Sequence, residues 1–235
     1  MPDWLPEAAS SYAGKIDGLL IMITVIVGVW FIAAEGLLVY MALRYRRREG
    51  HKAAYLPGRT LRAMAWVLVP CAVILVLDLV IDAAAAPVWA EIKEELPPHD
   101  RLVRITGAQW MWTFQYAGPD GLLDTDDDFE TINELHAPIN EVVQFQLGAK
   151  DVLHSFWVPQ LRLKQDAVPG RRIRGWFKGT LEGTYPVVCA EICGVGHTMM
   201  QGMLHVESVE AYEEWRDFNV GAARERRQVE QGGSS

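Results

Sequence analysis

Two long apolar runs near the N-terminus constrain the fold of this chain more than any other feature. The first covers residues 18–43 and is interrupted only by Glu35, and the second covers residues 63–86. About 20 consecutive apolar residues are enough to cross a bilayer as a helix. Two buried core helices are the soluble alternative, but runs of this length are uncommon in soluble domains. The sequence therefore predicts a two-helix transmembrane hairpin over residues 18–86.

The loop between the two runs predicts how the hairpin is oriented. Residues 44–62 contain seven Lys or Arg and one Glu. An excess of Lys and Arg is typical of cytoplasmic loops. The N-terminal segment 1–17 lacks the basic region of a signal peptide. Both this segment and the chain after the hairpin are therefore expected outside the cytoplasm.

Beyond the hairpin the pattern changes to short β-like segments. Residues 87–100 contain three prolines and predict a linker. Residues 101–219 are typical of an all-β Greek-key sandwich or barrel, closed by an amphipathic helix behind Ser208 as N-cap. The polar residues 220–235 predict a disordered tail. Strands are predicted near 101–106, 112–116, 141–148, 152–157, 171–177, 184–189 and 202–206.

Composition excludes two classes of protein. The formal net charge of −8 argues against a nucleic-acid partner. The chain has three cysteines, an odd number that excludes a framework built only of disulfides. Cys71 lies within the second apolar run and is expected to be an inert buried thiol.

The densest group of metal-binding side chains lies in the sequence C-A-E-I-C-G-V-G-H-T-M-M. Cys189 and Cys193 are four residues apart, His197 follows four later and Met200 three after that. A fifth candidate, His154, lies upstream in D-V-L-H-S-F-W-V-P. Thiolate, imidazole and thioether together favour copper over hard cations such as Mg²⁺ or Ca²⁺.

Other uses of these residues remain open from chemistry alone. The two cysteines could form a disulfide, or a structural zinc site with His197 and His154 that would leave Met200 unused. A blue-copper site needs one Cys, two His and a weak Met, so the motif has one Cys too many. Two thiolates, two imidazoles, a thioether and a backbone carbonyl would supply three ligands to each of two metals.

The pattern C-x-E-x-C-G-x-x-H-x-x-M resembles the binuclear copper A motif of subunit II of haem–copper terminal oxidases, the cytochrome c oxidases. The segment V-L-H-S-F-W-V-P-Q-L-R-L-K-Q-D-A-V-P-G-R resembles the part of that family that carries its first histidine ligand. The resemblance implies a cupredoxin fold and a copper centre in which Glu191 contributes its backbone carbonyl. The implied metal ligands are His154, Cys189, Glu191, Cys193, His197 and Met200.

The same resemblance implies a function and a set of partners. The chain would take electrons from cytochrome c or a membrane-bound donor complex and pass them to haem in subunit I. There O₂ is reduced to water, coupled to proton pumping. The Glu191 side chain would reach a magnesium or manganese ion at the border with subunit I, and subunit III would complete the complex. The implied location is the bacterial inner membrane, with the copper domain on the periplasmic side.

A strand rich in aromatic residues provides the expected point where electrons enter. Trp110, Trp112, Phe114 and Tyr116 alternate, as one face of a strand would. Core packing accounts for three of them, and the family resemblance implies that Trp110 is an exposed ring over the copper site. A membrane-tethered copper chaperone and a nitric oxide reductase subunit remain alternative functions.

Two further features are open from the sequence. Residues 117–141 hold eight acids and no Lys or Arg, which predicts a solvated loop or a docking field for a basic donor, and only weakly a Ca²⁺ site. Many family members carry a Glu where this chain has Ala63, and Glu35 inside the first helix could replace it in a proton path or make a structural hydrogen bond. The remaining histidines are not expected to bind the copper: His51, His99, His136 and His205.

Overall fold

The protein was analysed as a computed structural model, which describes residues 5–55 and 57–232. It consists of two compact units. One unit is Lys15–Ala90, and the other combines Met1–Gly14 with Glu91–Ser235. The first is helical, and the second contains the β domain.

The helical unit is formed by two long helices. Helix α1 spans Ala13–Arg44 and α2 spans Leu61–Trp89, with Thr60 capping α2 through a 3.3 Å hydrogen bond from the Ala63 amide. Both are long and apolar enough to cross a membrane. Almost all their side chains are exposed, as expected for helices whose neighbours are lipid or another subunit. The two predicted long apolar helices are confirmed, and each is a few residues longer than its apolar run.

The predicted linker 87–100 is shorter than expected. Pro87 lies inside α2, and a π-helical turn, Ala90–Glu94, continues the helix. Proline fixes φ at a helical value, so the helix can continue at the cost of a backbone hydrogen bond. Helical structure therefore ends at Glu94, and a short connection leads to the first strand at Arg101.

The second unit is a sandwich of two five-stranded sheets. Their strand orders are β3-β2-β1-β5-β8 and β4-β10-β9-β6-β7. The pairs β1–β5 and β4–β10 are parallel, and the others are antiparallel. The strands are β1 Arg101–Ala108, β2 Met111–Tyr116, β3 Phe129–Ile132, β4 Glu134–Pro138, β5 Val142–Ala149, β6 His154–Val158, β7 Leu163–Ala167, β8 Ile173–Lys178, β9 Gly183–Cys189 and β10 Gln201–Glu207.

The core lies between the two sheets and follows the alternation of each strand. In β2, Trp112, Phe114 and Tyr116 are all buried, as the sequence predicted. Phe156 of β6 meets Trp112 edge to face at 5.4 Å between ring centroids, which joins the two sheets. Burial of such aromatic side chains is the main contribution to the stability of a small β domain. The sandwich confirms the predicted all-β class.

Three strands were not predicted. β3 and β4 lie inside the acidic run 117–141, where Asn133 turns the chain between them with φ +60°. β7 has the sequence L-K-Q-D-A, whose few apolar residues do not signal a strand. All three become strands because a neighbouring strand offers an unpaired edge, which a local pattern cannot reveal.

The N-terminal segment packs on the β domain. The Ala9 amide donates to the Gln160 carbonyl at 2.9 Å, and the Ser11 amide donates to the Lys178 carbonyl at 3.0 Å. Tyr12 is buried against Trp176. These contacts hold the start of the chain to the domain that follows the two helices.

The predicted disordered tail 220–235 is wrong over residues 220–232. Helix α3 runs from Val209 to Gly232, and residues 233–235 lie outside the described part of the chain. Val220 and Ala223 are buried in the core cluster, and Arg227 Nη1 donates to the Asp128 carbonyl at 3.2 Å. Burial of one apolar stripe stabilises a helix whose composition alone resembles a disordered segment.

Candidate metal centre

The loop that follows β9 forms the candidate metal centre. Cys189 ends β9, and its amide donates to the Met200 carbonyl at 3.2 Å, just before β10 begins. This contact closes the loop 190–199. We call residues 189–200 the cysteine loop. Its two ends are fixed by paired strands, so the side chains between them are held against the end of the sandwich.

Two thiols lie at the centre of the cysteine loop. Cys189 Sγ and Cys193 Sγ are 3.7 Å apart, far beyond the disulfide bond length of about 2.05 Å, and both cysteines are free. Both thiols are buried. The alternative of a disulfide is therefore not present in this structure.

Each thiol has its own imidazole and one further donor. Cys189 Sγ lies 3.9 Å from His154 Nδ1 and 3.3 Å from the Glu191 carbonyl oxygen. Cys193 Sγ lies 3.7 Å from His197 Nδ1 and 3.9 Å from Met200 Sδ. The ligand atoms of His154, Cys189 and Cys193 all lie within 4.8 Å of one another, so these three residues form a possible metal site.

His154 reaches this loop from the neighbouring strand. It begins β6, whose Phe156 pairs with Cys189 of β9, and its side chain is completely buried. The 35 residues that separate His154 from Cys189 in sequence are bridged by this strand pairing. The sandwich, rather than the loop, therefore sets the position of the first imidazole.

Asp151 orients His154, and the sequence analysis missed it. Asp151 Oδ1 lies 2.8 Å from His154 Nε2, and Oδ2 accepts the Gln109 amide at 2.7 Å. Although burial raises the pKa of Asp151, hydrogen bonds from His154, Gln109 and Val152 hold it at about 2. An ionised acceptor keeps the proton on Nε2 and leaves the Nδ1 lone pair directed at Cys189. An acid three residues before the histidine was the only signal in the sequence.

The donor set fits copper better than a single zinc ion. Six donors converge here, more than the four that a structural zinc site uses. Burial and the neighbouring Cys189 raise the pKa of the Cys193 thiol to about 11. Thiolate ligands form when a metal binds and the protons leave. The site is thus arranged for soft metal ions with two similar ligand sets.

Trp110 lies over the cysteine loop, but not on a strand as predicted. It belongs to the turn Gln109–Trp110 between β1 and β2. Its Nε1 donates to the Cys193 carbonyl at 3.3 Å, and the ring is 37% exposed. A Cβ at Gly196 would lie 2.3 Å from this ring, so only glycine permits the contact. Trp110 therefore connects the protein surface with the backbone of a thiol ligand.

Two histidines that were not expected to bind the copper lie side by side. His136 of β4 and His205 of β10 are opposite each other in a parallel pair, with ring centroids 4.5 Å apart. Strand pairing joins these two residues across 69 positions of the sequence, a proximity that their spacing did not indicate. Burial lowers the pKa of His136, although Glu207 acts in the opposite direction. They lie outside the cysteine loop.

The acidic run does not form a single solvated loop. It contains β3 and β4, and the buried Asp128 accepts hydrogen bonds from the Gln115 side chain at 2.7 Å and the Asp124 amide at 2.7 Å. The loop part of the acidic run, residues 117–128, follows the C-terminal end of β2, whereas Trp110 precedes the N-terminal end of that strand. Six strand residues at about 3.4 Å each separate the two by about 20 Å. Nearness in sequence therefore does not place this loop beside Trp110.

The chain is similar in sequence to known proteins of one family. The family model described as cytochrome c oxidase subunit II, periplasmic domain, matches residues 102–209. Cytochrome c oxidase subunit 2 of Synechocystis sp. is 31% identical and covers 94% of this chain and 77% of the relative. The subunit 2 of Thermostichus vulcanus is 32% identical, over 93% of this chain and 79% of the relative.

A third relative and one solved structure are similar to the chain. The alternative cytochrome c oxidase subunit 2 of Bradyrhizobium diazoefficiens is 32% identical over 91% of this chain and 83% of the relative. The crystal structure of the periplasmic domain of subunit II of Bradyrhizobium japonicum cytochrome oxidase has 29% identity and a TM-score of 0.48. It covers 56% of this chain and 99% of that one. Because the similarity to the full-length relatives extends over both the helical hairpin and the β domain, the chain belongs to the cytochrome c oxidase subunit 2 family.

Proposed function

We propose that the β domain holds a binuclear copper centre and acts as the electron-transfer subunit of a haem–copper oxygen reductase. The observation that carries this proposal is the pair of buried thiols 3.7 Å apart, each with its own imidazole and one further donor. The proposed ligands are the side chains of His154, Cys189, Cys193, His197 and Met200 and the backbone carbonyl of Glu191.

The protein contributes a rigid and dry setting for this centre. Copper held by these residues would supply one-electron redox chemistry. His154 and Cys189 are fixed by paired strands, and Met200 is completely buried. Asp151 holds the His154 ring in one orientation. Ligands that are held in place before an electron arrives move little afterwards, which favours fast transfer.

Electrons are proposed to enter at Trp110 and to leave towards haem in subunit I. Trp110 is partly exposed and donates a hydrogen bond to the carbonyl of Cys193. Val195, which is 95% exposed, lies between Gly194 and Gly196, the two glycines that Trp110 approaches. An exposed ring beside an apolar tip suits close contact with cytochrome c or a membrane-bound donor. The electrons would then serve O₂ reduction and proton pumping in the complex.

The family supports further proposals about the complex. The backbone carbonyl of Glu191 is directed at Cys189, so its side chain is not needed for the copper centre. This side chain would instead bind a magnesium or manganese ion at the border with subunit I. Subunit III would complete the assembly in the bacterial inner membrane. Glu35 lies in α1 and would serve a proton path or a helix contact. Unchanged turnover and proton uptake in Glu35→Gln would end the proton-path proposal.

Metal content and magnetic resonance test the binuclear centre directly. The full-length chain is purified in detergent, loaded with copper and measured by elemental analysis and electron paramagnetic resonance. We expect two copper ions per chain and a spectrum in which one unpaired electron couples to two copper nuclei. One copper per chain, or coupling to one nucleus, contradicts the proposal. Haem content and O₂ uptake of the complex purified through this chain test its role in the oxidase.

The orientation in the membrane has a separate test. The basic loop 44–62 and the contacts of residues 9–12 with the β domain support two outer termini around a cytoplasmic loop. A protease added to intact spheroplasts should cut near the exposed C-terminal end of α3 and spare the loop 44–62. The opposite pattern of cleavage would reverse the proposed orientation.

A further inference from the structure

We propose that Glu134, His136, His205 and Glu207 form a second metal site that binds Zn²⁺ or another borderline divalent ion. We call these four residues the β4–β10 cluster. They share no residue with the cysteine loop, and the copper proposal does not use them. The inference goes beyond the proposed function and stands whether or not that function is correct.

Strand register brings the four residues together on one face. In the parallel pair β4–β10, His205 lies opposite His136, Met203 opposite Glu134 and Glu207 opposite Pro138. Side chains two residues apart on a strand point to the same side of a sheet. Leu135, Ala137, Leu204 and Val206 fill the core, so the four polar residues project from the outer face of the sheet.

The contacts within the cluster are already short. His205 Nε2 lies 2.5 Å from Glu134 Oε2, and His136 Nδ1 contacts Glu207 Oε1. The two rings are stacked with an interplanar angle of 25°. Ligand atoms of Glu134, His136 and His205 all lie within 4.8 Å of one another. Two imidazoles and the Glu134 carboxylate thus face one small volume, and the Glu207 carboxylate lies beside His136 at its edge.

A bound ion requires only a modest rearrangement. Donors around tetrahedral Zn²⁺ are about 3.3 Å apart for bonds of about 2.0–2.1 Å. The 2.5 Å contact between His205 Nε2 and Glu134 Oε2 must therefore widen by roughly 0.8 Å, and the other pairs, which lie within 4.8 Å, must close by at most roughly 1.5 Å. The rings must also turn about their Cβ–Cγ bonds to direct one nitrogen each at a common point. The Glu134 side chain is 50% exposed and that of His205 is 27% exposed, so both have room to move.

Residues around the cluster support ligand roles. Thr184 Oγ1 lies 3.2 Å from His205 Nδ1. With Nδ1 engaged by Thr184, the other ring nitrogen, Nε2, is available for the metal. His136 stacks on Trp215 of α3 at 4.0 Å between ring centroids, so its ring plane has a fixed neighbour. Metal-binding histidines are commonly oriented by a hydrogen bond to the other ring nitrogen. The cluster therefore has the surrounding contacts that a site needs as well as donors.

The donor set determines the class of ion. Imidazole nitrogen suits Zn²⁺, Cu²⁺ and Ni²⁺, whereas Mg²⁺ and Ca²⁺ prefer oxygen ligands alone. Two carboxylates neutralise a divalent charge. The site is also separate from the cysteine loop, because His205 pairs with Thr184 and Cys189 lies five residues further along β9. At about 3.4 Å per residue, this is about 17 Å.

Binding is expected to stabilise the domain. An ion held by residues of β4 and β10 would link two strands, and through His136 and Trp215 it would also tighten the contact with α3. A ligand that binds only the folded state raises the unfolding temperature by mass action. Stabilisation by Zn²⁺ should therefore depend on the cluster and not on the copper centre.

The test is a titration of ZnCl₂ into the full-length, copper-loaded chain in detergent. Copper loading keeps the two thiols occupied, so Zn²⁺ can report on the β4–β10 cluster. We expect about one Zn²⁺ per chain by calorimetry, a higher unfolding temperature, and an unchanged copper spectrum. Glu134→Gln and His205→Ala should each weaken binding by about tenfold or more. His99→Ala is the matched control and should bind Zn²⁺ like the wild type.

Three results would overturn the inference. The first is the absence of Zn²⁺ binding up to about 1 mM, a concentration that corresponds to very weak affinity. The second is equal Zn²⁺ binding by the wild type and both cluster variants. The third is Zn²⁺ binding that occurs only as copper is displaced. MgCl₂ in place of ZnCl₂ should give no heat. Glu134 and His205 are partly exposed, so substitution of either should leave the fold intact. Circular dichroism of the variants then distinguishes loss of the metal site from loss of the fold.

Discussion

The cysteine loop and the acidic loop 117–128 lie at opposite ends of β2 and use their polar groups in opposite ways. In the cysteine loop, thiols, imidazoles and a thioether lie 3.7–3.9 Å from one another, with no charged partner among the ligands themselves. In the acidic loop, carboxylates are bonded to donors supplied by the protein. A dense group of possible ligands is therefore not enough to make a metal site.

The contacts of the acidic loop show how its charges are used. Arg104 binds both carboxylate oxygens of Asp124 at 2.6 and 2.9 Å, and these hydrogen bonds lower the pKa of Asp124 to about 2. Thr125 donates to Asp127 at 2.6 Å and also contacts Asp128. These oxygens are engaged, so the Ca²⁺ reading of the sequence gains no support. The loop uses acids to fix its own conformation.

The difference teaches which clusters can attract a cation. Donors that converge without neutralising partners become more stable when a metal binds, because the metal supplies the missing charge. Carboxylates that already accept hydrogen bonds from Arg and backbone amides gain little.

Loss of one thiol should have the largest effect. Cys193→Ser removes one of the two thiolates of the proposed centre, so the spectrum of an electron shared by two coppers should disappear completely. Elemental analysis should find no more than one copper per chain. Cys71→Ser is the matched control, since Cys71 lies in α2, outside the β domain. A normal spectrum in Cys193→Ser would place the metal elsewhere.

Asp151→Asn should weaken the copper centre without removing a ligand. The variant loses the ionised acceptor that directs His154 Nδ1 at Cys189. Loss of such a partner typically costs 10–100-fold in metal affinity, so about that range is expected from competition with a copper chelator. Asp126→Asn removes an acid from the acidic loop as a control. Equal affinities in the two variants would show that Asp151 does not orient the ligand.

Trp110→Phe should slow electron transfer within the bound donor complex by several-fold. The change removes the indole N–H that donates to the Cys193 carbonyl while keeping an aromatic ring. Stopped-flow reduction by the native donor separates this rate from binding. Trp157→Phe is the control, because Trp157 is similarly exposed on β6. Reduction at the wild-type rate would remove Trp110 from the path.

Asp128→Asn should change stability but not copper. The side chain is buried and accepts hydrogen bonds from Gln115, Asp124 and Thr125. An amide can accept at only one of the two oxygen positions, which leaves a donor unpaired and costs about 1–3 kcal/mol. Chemical denaturation measures the loss, and the copper spectrum should be unchanged. A changed spectrum would mean that the two ends of β2 are coupled.

Neutralising Asp126 and Asp127 together should have the smallest effect. These residues lie about 20 Å from Trp110 along β2, and exposed charges more than a Debye length of about 8–10 Å away are largely screened. The apparent KM for a basic cytochrome should change by less than about twofold at physiological salt. A large rise in KM with a flatter salt dependence would instead show that the donor docks on the acidic loop.

The sequence was informative where residues act through local chemistry. The apolar runs predicted α1 and α2, and alternation in M-W-T-F-Q-Y predicted the buried face of β2. The motif from Cys189 to Met200 predicted which side chains would converge. It was less informative for β7 and for the extension of α3, where an edge or a groove supplied by other elements stabilises a segment with weak propensity.

The sequence by itself determined the membrane hairpin, the β class and the cysteine loop, because each depends on periodicity or on ligands only a few residues apart. Only the tertiary structure decided the contacts across long separations. It placed Asp151 behind His154, His205 beside His136, and the acidic loop away from Trp110. The physical reason is strand register: pairing sets which distant residues meet, and the pattern of a single strand does not contain that information.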